Sequence, residues 1–327
     1  MTRFGSLSAL AAVAVGLVSL VACGGGGASG SGSNKTFTIG EINAGLQYPY
    51  AAAIGTGIKN KAQALGVKVI ELDSKGKVET EASNVQDLIA QKVDLIILQP
   101  NDGAAAQREV AQIRAAGIPV MAVHTQVGTS DDPANVYSGL FAYVTQGEVQ
   151  VGATAGALAL QALPSGGQIA IVEGSGCCFV AVHQRSQGFL DAIHKGSASF
   201  TVVATQPGAW TPEGGRSACQ NMLTAHPTIQ LVYAMSQDMA AGCGQALSGL
   251  ASKPKVVGVG IDQPTANLIK DGTIYGTVCQ RPVTLGELAM STAYDQLTGQ
   301  THYDRKYISL PTPAITQANL SDCPVQF

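Results

Sequence analysis

From residue 35 onward, short and nearly continuous apolar runs alternate with longer mixed stretches. Nine runs, at 36–42, 67–72, 95–99, 119–124, 168–173, 201–206, 231–235, 255–260 and 272–280, are rich in β-branched residues, as expected for strands buried on both faces of a parallel sheet. Between them, 50–65 ends at Gly66 and 148–163 ends at Pro164, residues that stop helices. A repeat of about 25 to 30 residues per unit is that of βαβ structure, and the spacing predicts two doubly wound α/β lobes. In such open sheets ligands sit beyond the carboxyl ends of the strands. That places 43–50, 99–102, His124, 174–185, Trp210, Ser236, Asp262 and Gln280 around a cleft.

The pattern breaks at the N-terminus. Arg3 is followed by an apolar run over 7–22, then Cys23 and a Gly/Ser tract over 24–33. A basic residue followed by an apolar run reads as a secretory signal, too short for a membrane span of roughly 20 residues. The tetrad Leu20, Val21, Ala22, Cys23 resembles the lipobox of bacterial lipoproteins. The resemblance implies removal of 1–22, acylation of Cys23 and a flexible tether over 23–34, since Gly/Ser chains behave as random coils and acyl chains hold a protein at a membrane.

About 305 residues then remain, too many for one ordinary core and suited to two domains. The formal charge is −3 with no dense basic cluster, so nucleic acid is excluded as a partner. Neither G-x-S-x-G nor H-E-x-x-H nor a Walker loop is present, and an enzyme, a metal site or a bound cofactor finds no support. The six cysteines beyond Cys23 (Cys177, Cys178, Cys219, Cys243, Cys279, Cys323) permit disulfides after export, in 15 possible pairings. Cys177 and Cys178 near His183 also invite a reactive-thiol reading, for which a disulfide is the plainer alternative.

The segments NVQDLIAQKVDLIILQP (84–100), IPV (118–120), NMLTAHPTIQLVYA (221–234), VVGVGID (256–262) and CQRP (279–282) resemble the ribose-binding-like, type I periplasmic sugar receptors of ABC importers. The resemblance implies a monomer of two lobes joined by three hinge crossings. The first lobe is expected over 35–145 plus 281–308 and the second over 146–280 plus 309–327, with hinges near Thr145, Arg281 and Leu310. It implies closure around a small sugar or polyol and delivery to an importer permease. A sensory role with a membrane kinase or chemoreceptor uses the same closed form. A sugar-responsive repressor shares the lobes but not the signal and tether.

A sugar needs aromatic rings against its CH faces and planar hydrogen-bonding groups at its rim. The resemblance assigns stacking to Trp210, in QPGAW, and to Tyr48 and Tyr50, in QYPY. It assigns a donor fork to Arg185, in HQRSQGF, an acceptor to Asp262 and a mixed donor and acceptor to Gln280. The chain departs from the family at His124 and Thr125, where an Asp-Arg pair is usual, and at Ser236 and Gln237, where Asn-Asp is usual. Fewer charged groups imply a cargo other than ribose. The family strand order further implies that the helices carrying Cys219 and Cys243 lie side by side and are bridged.

Overall fold

The computed structural model describes residues 36–130, 132–176, 179–196, 198–250 and 253–327. The expected signal, tether and lipidated Cys23, together with Cys177 and Cys178, lie outside the described residues.

The chain folds as two α/β lobes. In the first, β1 (Thr38–Asn43), α1 (Pro49–Leu65), β2 (Lys68–Asp73), α2 (Val78–Ala90), β3 (Leu95–Leu98), α3 (Gly103–Ala115), β4 (Val120–Val123) and β5 (Ala142–Thr145) follow one another. The second contains α4 (Glu148–Ala162), β6 (Gly166–Glu173), α5 (Phe179–Lys195), β7 (Ser199–Pro207), α6 (Pro212–Ala225), β8 (Leu231–Ala234), α7 (Gln237–Ala246), β9 (Lys255–Val259), α8 (Gln263–Lys270) and β10 (Gly276–Val278). The chain then returns to the first lobe for α9 (Pro282–Thr298) and β11 (Lys306–Ser309), and closes with β12 (Ala314–Thr316) and a 3-10 turn, Gln317–Asp322.

The sheets have the orders β11-β5-β4-β3-β1-β2 and β12-β10-β9-β8-β6-β7. All pairings are parallel except β10 with β12. Each of the nine apolar runs overlaps a strand, and β5, β11 and β12 are additional. Ile96, Ile97 and Leu98 are fully buried because helices cover both faces of the first sheet. Ile39, Leu95 and Ile97 pack with α1 and α9 on one side, while Ile42, Ile96 and Leu98 pack with α2 and α3 on the other. Such burial stabilises by roughly 25 cal/mol per Å² of apolar surface.

Three short segments carry the chain between the sheets, at 146–147, 279–281 and 310–313. Gln146 ties them together. Its Oε1 accepts from the Arg281 backbone N–H at 2.8 Å, and its Nε2 lies within donating distance of the Cys279 and Pro311 carbonyls, at 3.5 and 3.4 Å.

Among the described residues two disulfides are present. Cys219–Cys243 joins α6 to α7, as the family strand order implied. Cys279–Cys323, left open by the sequence, staples the C-terminal segment to the second crossing. Beyond Cys323 the tail reaches the first lobe. Gln326 exchanges two hydrogen bonds with Thr284 at the start of α9, and the Phe327 ring stands edge-on to Tyr50 at 6.1 Å. Residues 309–327 are therefore shared: Ser309 pairs with Thr145 in the first sheet, β12 completes the second, and the last residues touch the first lobe.

Candidate ligand-binding cleft

The cleft lies where the carboxyl ends of both sheets face each other. Its cavity, of about 650 Å³ including its mouth, is lined by Tyr48, Tyr50, His124, Arg185, Trp210, Ser236, Asp238 and Gln280, with small residues such as Ala44 and Ala181 between them. Seven of the eight residues singled out in the sequence border it.

Each is placed by local chain chemistry. Tyr48 is the N-cap of α1 and Pro49 opens the helix, where the missing proline N–H costs nothing. His124 follows β4 with φ of 69°, and Ala209 and Trp210 have φ of 51° and 59°. Positive φ is uncommon for residues with a Cβ and persists where the surroundings over-determine it. Here it turns the chain sharply at the strand ends and sets the Trp210 ring against Gly174. A Cβ on Gly174 would lie 1.7 Å from Trp210 Cζ2, so this position admits only hydrogen while the ring stays in place. Ser236 caps α7, its hydroxyl accepting from the Met239 N–H at 3.2 Å.

Arg185 is almost fully buried and engaged with the protein itself. Its Nε donates to Glu148 Oε2 and its Nη1 to the Met235 carbonyl, both at 2.5 Å. Its Cζ lies 5.8 Å from the centre of the Trp210 ring, within cation–π range. Glu148, which the sequence reading did not single out, is the buried partner. Burial pushes its carboxyl up, but Arg185 and His124 more than reverse this and hold it at about 2. Glu148 in turn raises the Arg185 pKa, against its burial. The approach of α4 and α5 makes the pairing possible: a Cβ on Gly152 would lie 2.1 Å from the Arg185 carbonyl oxygen, and one on Gly188 1.9 Å from that of Val149. The available signal was an acidic residue in the first turn of a helix next to a crossing, which reads as ordinary helix-dipole compensation.

The lobes also meet directly. His124 Nε2 of the first lobe lies 3.3 Å from Glu148 Oε1 of the second. Gln184 of α5 donates to Gln126, beyond β4, at 2.8 Å, both side chains being buried. Tyr50 packs against His124 at 4.9 Å between ring centres, and its hydroxyl donates to Gln146 at 3.1 Å.

Asp262 is placed differently from the other seven. It caps α8, its Oδ1 accepting from the Thr265 N–H at 2.8 Å, and it is not among the residues lining the cavity; Asp238 is. Trp210 Nε1 and Gln280 Nε2, in the lining, are buried and have no hydrogen-bond partner among the described residues. A buried donor left unpaired costs about 1–3 kcal/mol, and both are free for a polar ligand.

With this geometry in place, the comparisons with known proteins are decisive. The profile of the periplasmic binding protein domain family matches residues 39–301. The chain belongs to this family. It is 30% identical over 289 residues to the ribose import binding protein RbsB of Bacillus subtilis, covering 88% of this chain and 90% of that protein. It is 26% identical over 326 residues to the xylitol-binding protein of Mycolicibacterium smegmatis, covering 98% and 87%. Among solved structures, a Mycobacterium smegmatis protein in complex with β-D-fucofuranose superposes with a TM-score of 0.78 at 25% identity, over 88% of this chain and 93% of that one. The family's fold, two parallel-dominated sheets flanked by helices, is the one described above, and its members are binding proteins.

Proposed function

We propose that this protein is an exported receptor that closes around one small sugar or polyol and delivers it to an ABC importer. The observation that carries this reading is the cavity between the lobes, where the Trp210 and Tyr50 rings accompany the unpaired donors Trp210 Nε1 and Gln280 Nε2. A monosaccharide offers the matching combination of CH faces and hydroxyls. The cargoes named for the relatives, ribose and xylitol, support the class. Because the ligand touches both lobes, it stabilises the closed form by its differential affinity.

Like the members of its family, the protein acts in this reading by binding rather than catalysis. The apolar run over 7–22 and the Leu20–Cys23 tetrad support export and a lipid anchor on Cys23, with the folded part acting as a monomer. The test is a thermal-shift screen of the chain from residue 35 onward against monosaccharides, polyols, sugar acids and nucleosides, since a ligand of the native state raises the midpoint as RT ln(1 + [L]/Kd). A shift with one sugar or polyol supports the reading, and its absence with all of them overturns the carbohydrate assignment.

A further inference from the structure

The charges around the cavity are unevenly distributed. Arg185 is offset by Glu148 at 2.5 Å, and His124 faces the same carboxylate. Asp238 lines the cavity in the first turn of α7. It has no ion-pair partner among the described residues. Gln237 donates to its Oδ2 at 3.2 Å, and among the described residues no hydrogen bond occupies Oδ1. The charged groups that bear on it from neighbouring elements are Asp262, at the head of α8, and Glu213, in the first turn of α6. Both are acidic.

We propose that Asp238 is a specificity-determining residue of the cleft, accepting a hydroxyl hydrogen from an uncharged polyhydroxylated ligand and excluding ligands that carry a carboxylate. The inference rests on the sugar-receptor reading and narrows its substrate class. An anionic ligand meets Asp238 with no spare cation to offset it, since the guanidinium is already paired. Repulsion between like charges is strong where water is excluded, whereas a hydroxyl donating to a carboxylate gains a charge-assisted bond. Burial, then Asp262 and Glu213, push the Asp238 carboxyl up to about 6. It is ionised at neutral pH and discharged in mild acid, so the discrimination fades as pH falls through that value.

Calorimetry on the folded chain with D-ribose, D-allose and xylitol, each beside its own aldonate (D-ribonate, D-allonate, xylonate), tests this at about pH 7.5 and about pH 5. The wild type is expected to bind one of the neutral ligands and to reject its aldonate at the higher pH, gaining affinity for the acid at the lower one. Asp238→Asn is expected to weaken the neutral ligand by about tenfold, to narrow the neutral-to-acid ratio by more than that, and to lose the pH dependence of acid binding. An unchanged ratio in a folded Asp238→Asn protein overturns the assignment of Asp238 and leaves the receptor reading standing. Failure of the wild type to bind any sugar or polyol of the thermal-shift screen overturns both. If Asp238 served only the dipole of α7, Asn would alter the midpoint of unfolding and not the ratio.

Discussion

His124 Nε2 and Glu148 Oε1 are 3.3 Å apart, and the two side chains come from opposite lobes. Glu148 thus links the second-lobe arginine, itself bound to the Met235 carbonyl, to the first lobe across the cleft. Its depressed carboxyl, at about 2 against an ordinary 4.5, contributes stability that is present above the ordinary value and lost as pH falls toward 2. The thermal midpoint is expected to drop across that window. Glu148→Gln should flatten the drop and destabilise the neutral protein by about 3–5 kcal/mol, because Arg185 is left buried and unpaired. Melting curves between about pH 6 and about pH 2 check this.

Glu41 behaves in the opposite sense. Burial first, then Glu71, push its carboxyl to about 8, so the folded state favours the protonated form. Its stabilising contribution is present below the ordinary value of 4.5 and disappears as pH rises through about 8. Glu41→Gln, which imitates the protonated acid, should leave stability at about pH 4 little changed and raise it at about pH 9. Denaturant titrations at the two pH values decide it.

Gly174→Ala places a methyl group where the Trp210 ring lies. The ring must move, and ligand affinity is expected to fall by about 2 kcal/mol or more while the fold survives, as for loss of an aromatic anchor. Trp210→Ala should show a loss of similar size. Trp210 is the only tryptophan, so its emission reports ring displacement directly in the Gly174 variant.

Gln146→Ala removes the side chain that joins the three crossings. The ligand-free protein should become more open, with a larger radius of gyration in solution scattering, and ligand should restore the compact form. An unchanged radius would show that Gln326 with Thr284, and His124 with Glu148, suffice to hold the lobes.

The disulfides span sequence separations of 24 and 44 residues, for which the chain-entropy relation gives about 3–4 kcal/mol each. Replacing both cysteines of one pair with serine should lower stability by about that amount in non-reducing unfolding experiments. Loss of Cys279–Cys323 should in addition free the C-terminal tail, detectable as faster amide exchange at Gln326 and Phe327.

Nine strands were legible because buried strands demand continuous apolar character. Strands β5, β11 and β12 were not; β11 and β12 stand at the sheet edges and are only partly buried, so nothing there demands a continuous apolar run. Seven cavity residues lie in the segments that follow the strands, and the family resemblance singled out Tyr48, Tyr50, Arg185, Trp210 and Gln280 within them. Between Asp262 and Asp238, however, sequence offered no means of choosing the cavity-lining carboxylate. Both stand at the start of a helix after a strand, and only their places in the tertiary structure separate them. Asp262 turns back to cap its own helix, and Asp238 borders the cavity.

The sequence by itself determined the order of elements, the existence of two lobes and the loops that form the cleft, because these follow from which stretches must be buried and where they must stop. Only the tertiary structure decided what the charged groups do. Arg185 and Glu148 stand 37 residues apart and meet because the facing glycines 152 and 188 let α4 and α5 approach closely. A buried charge is governed by what lies within a few ångströms of it, and that distance is set by packing between helices rather than by spacing along the chain.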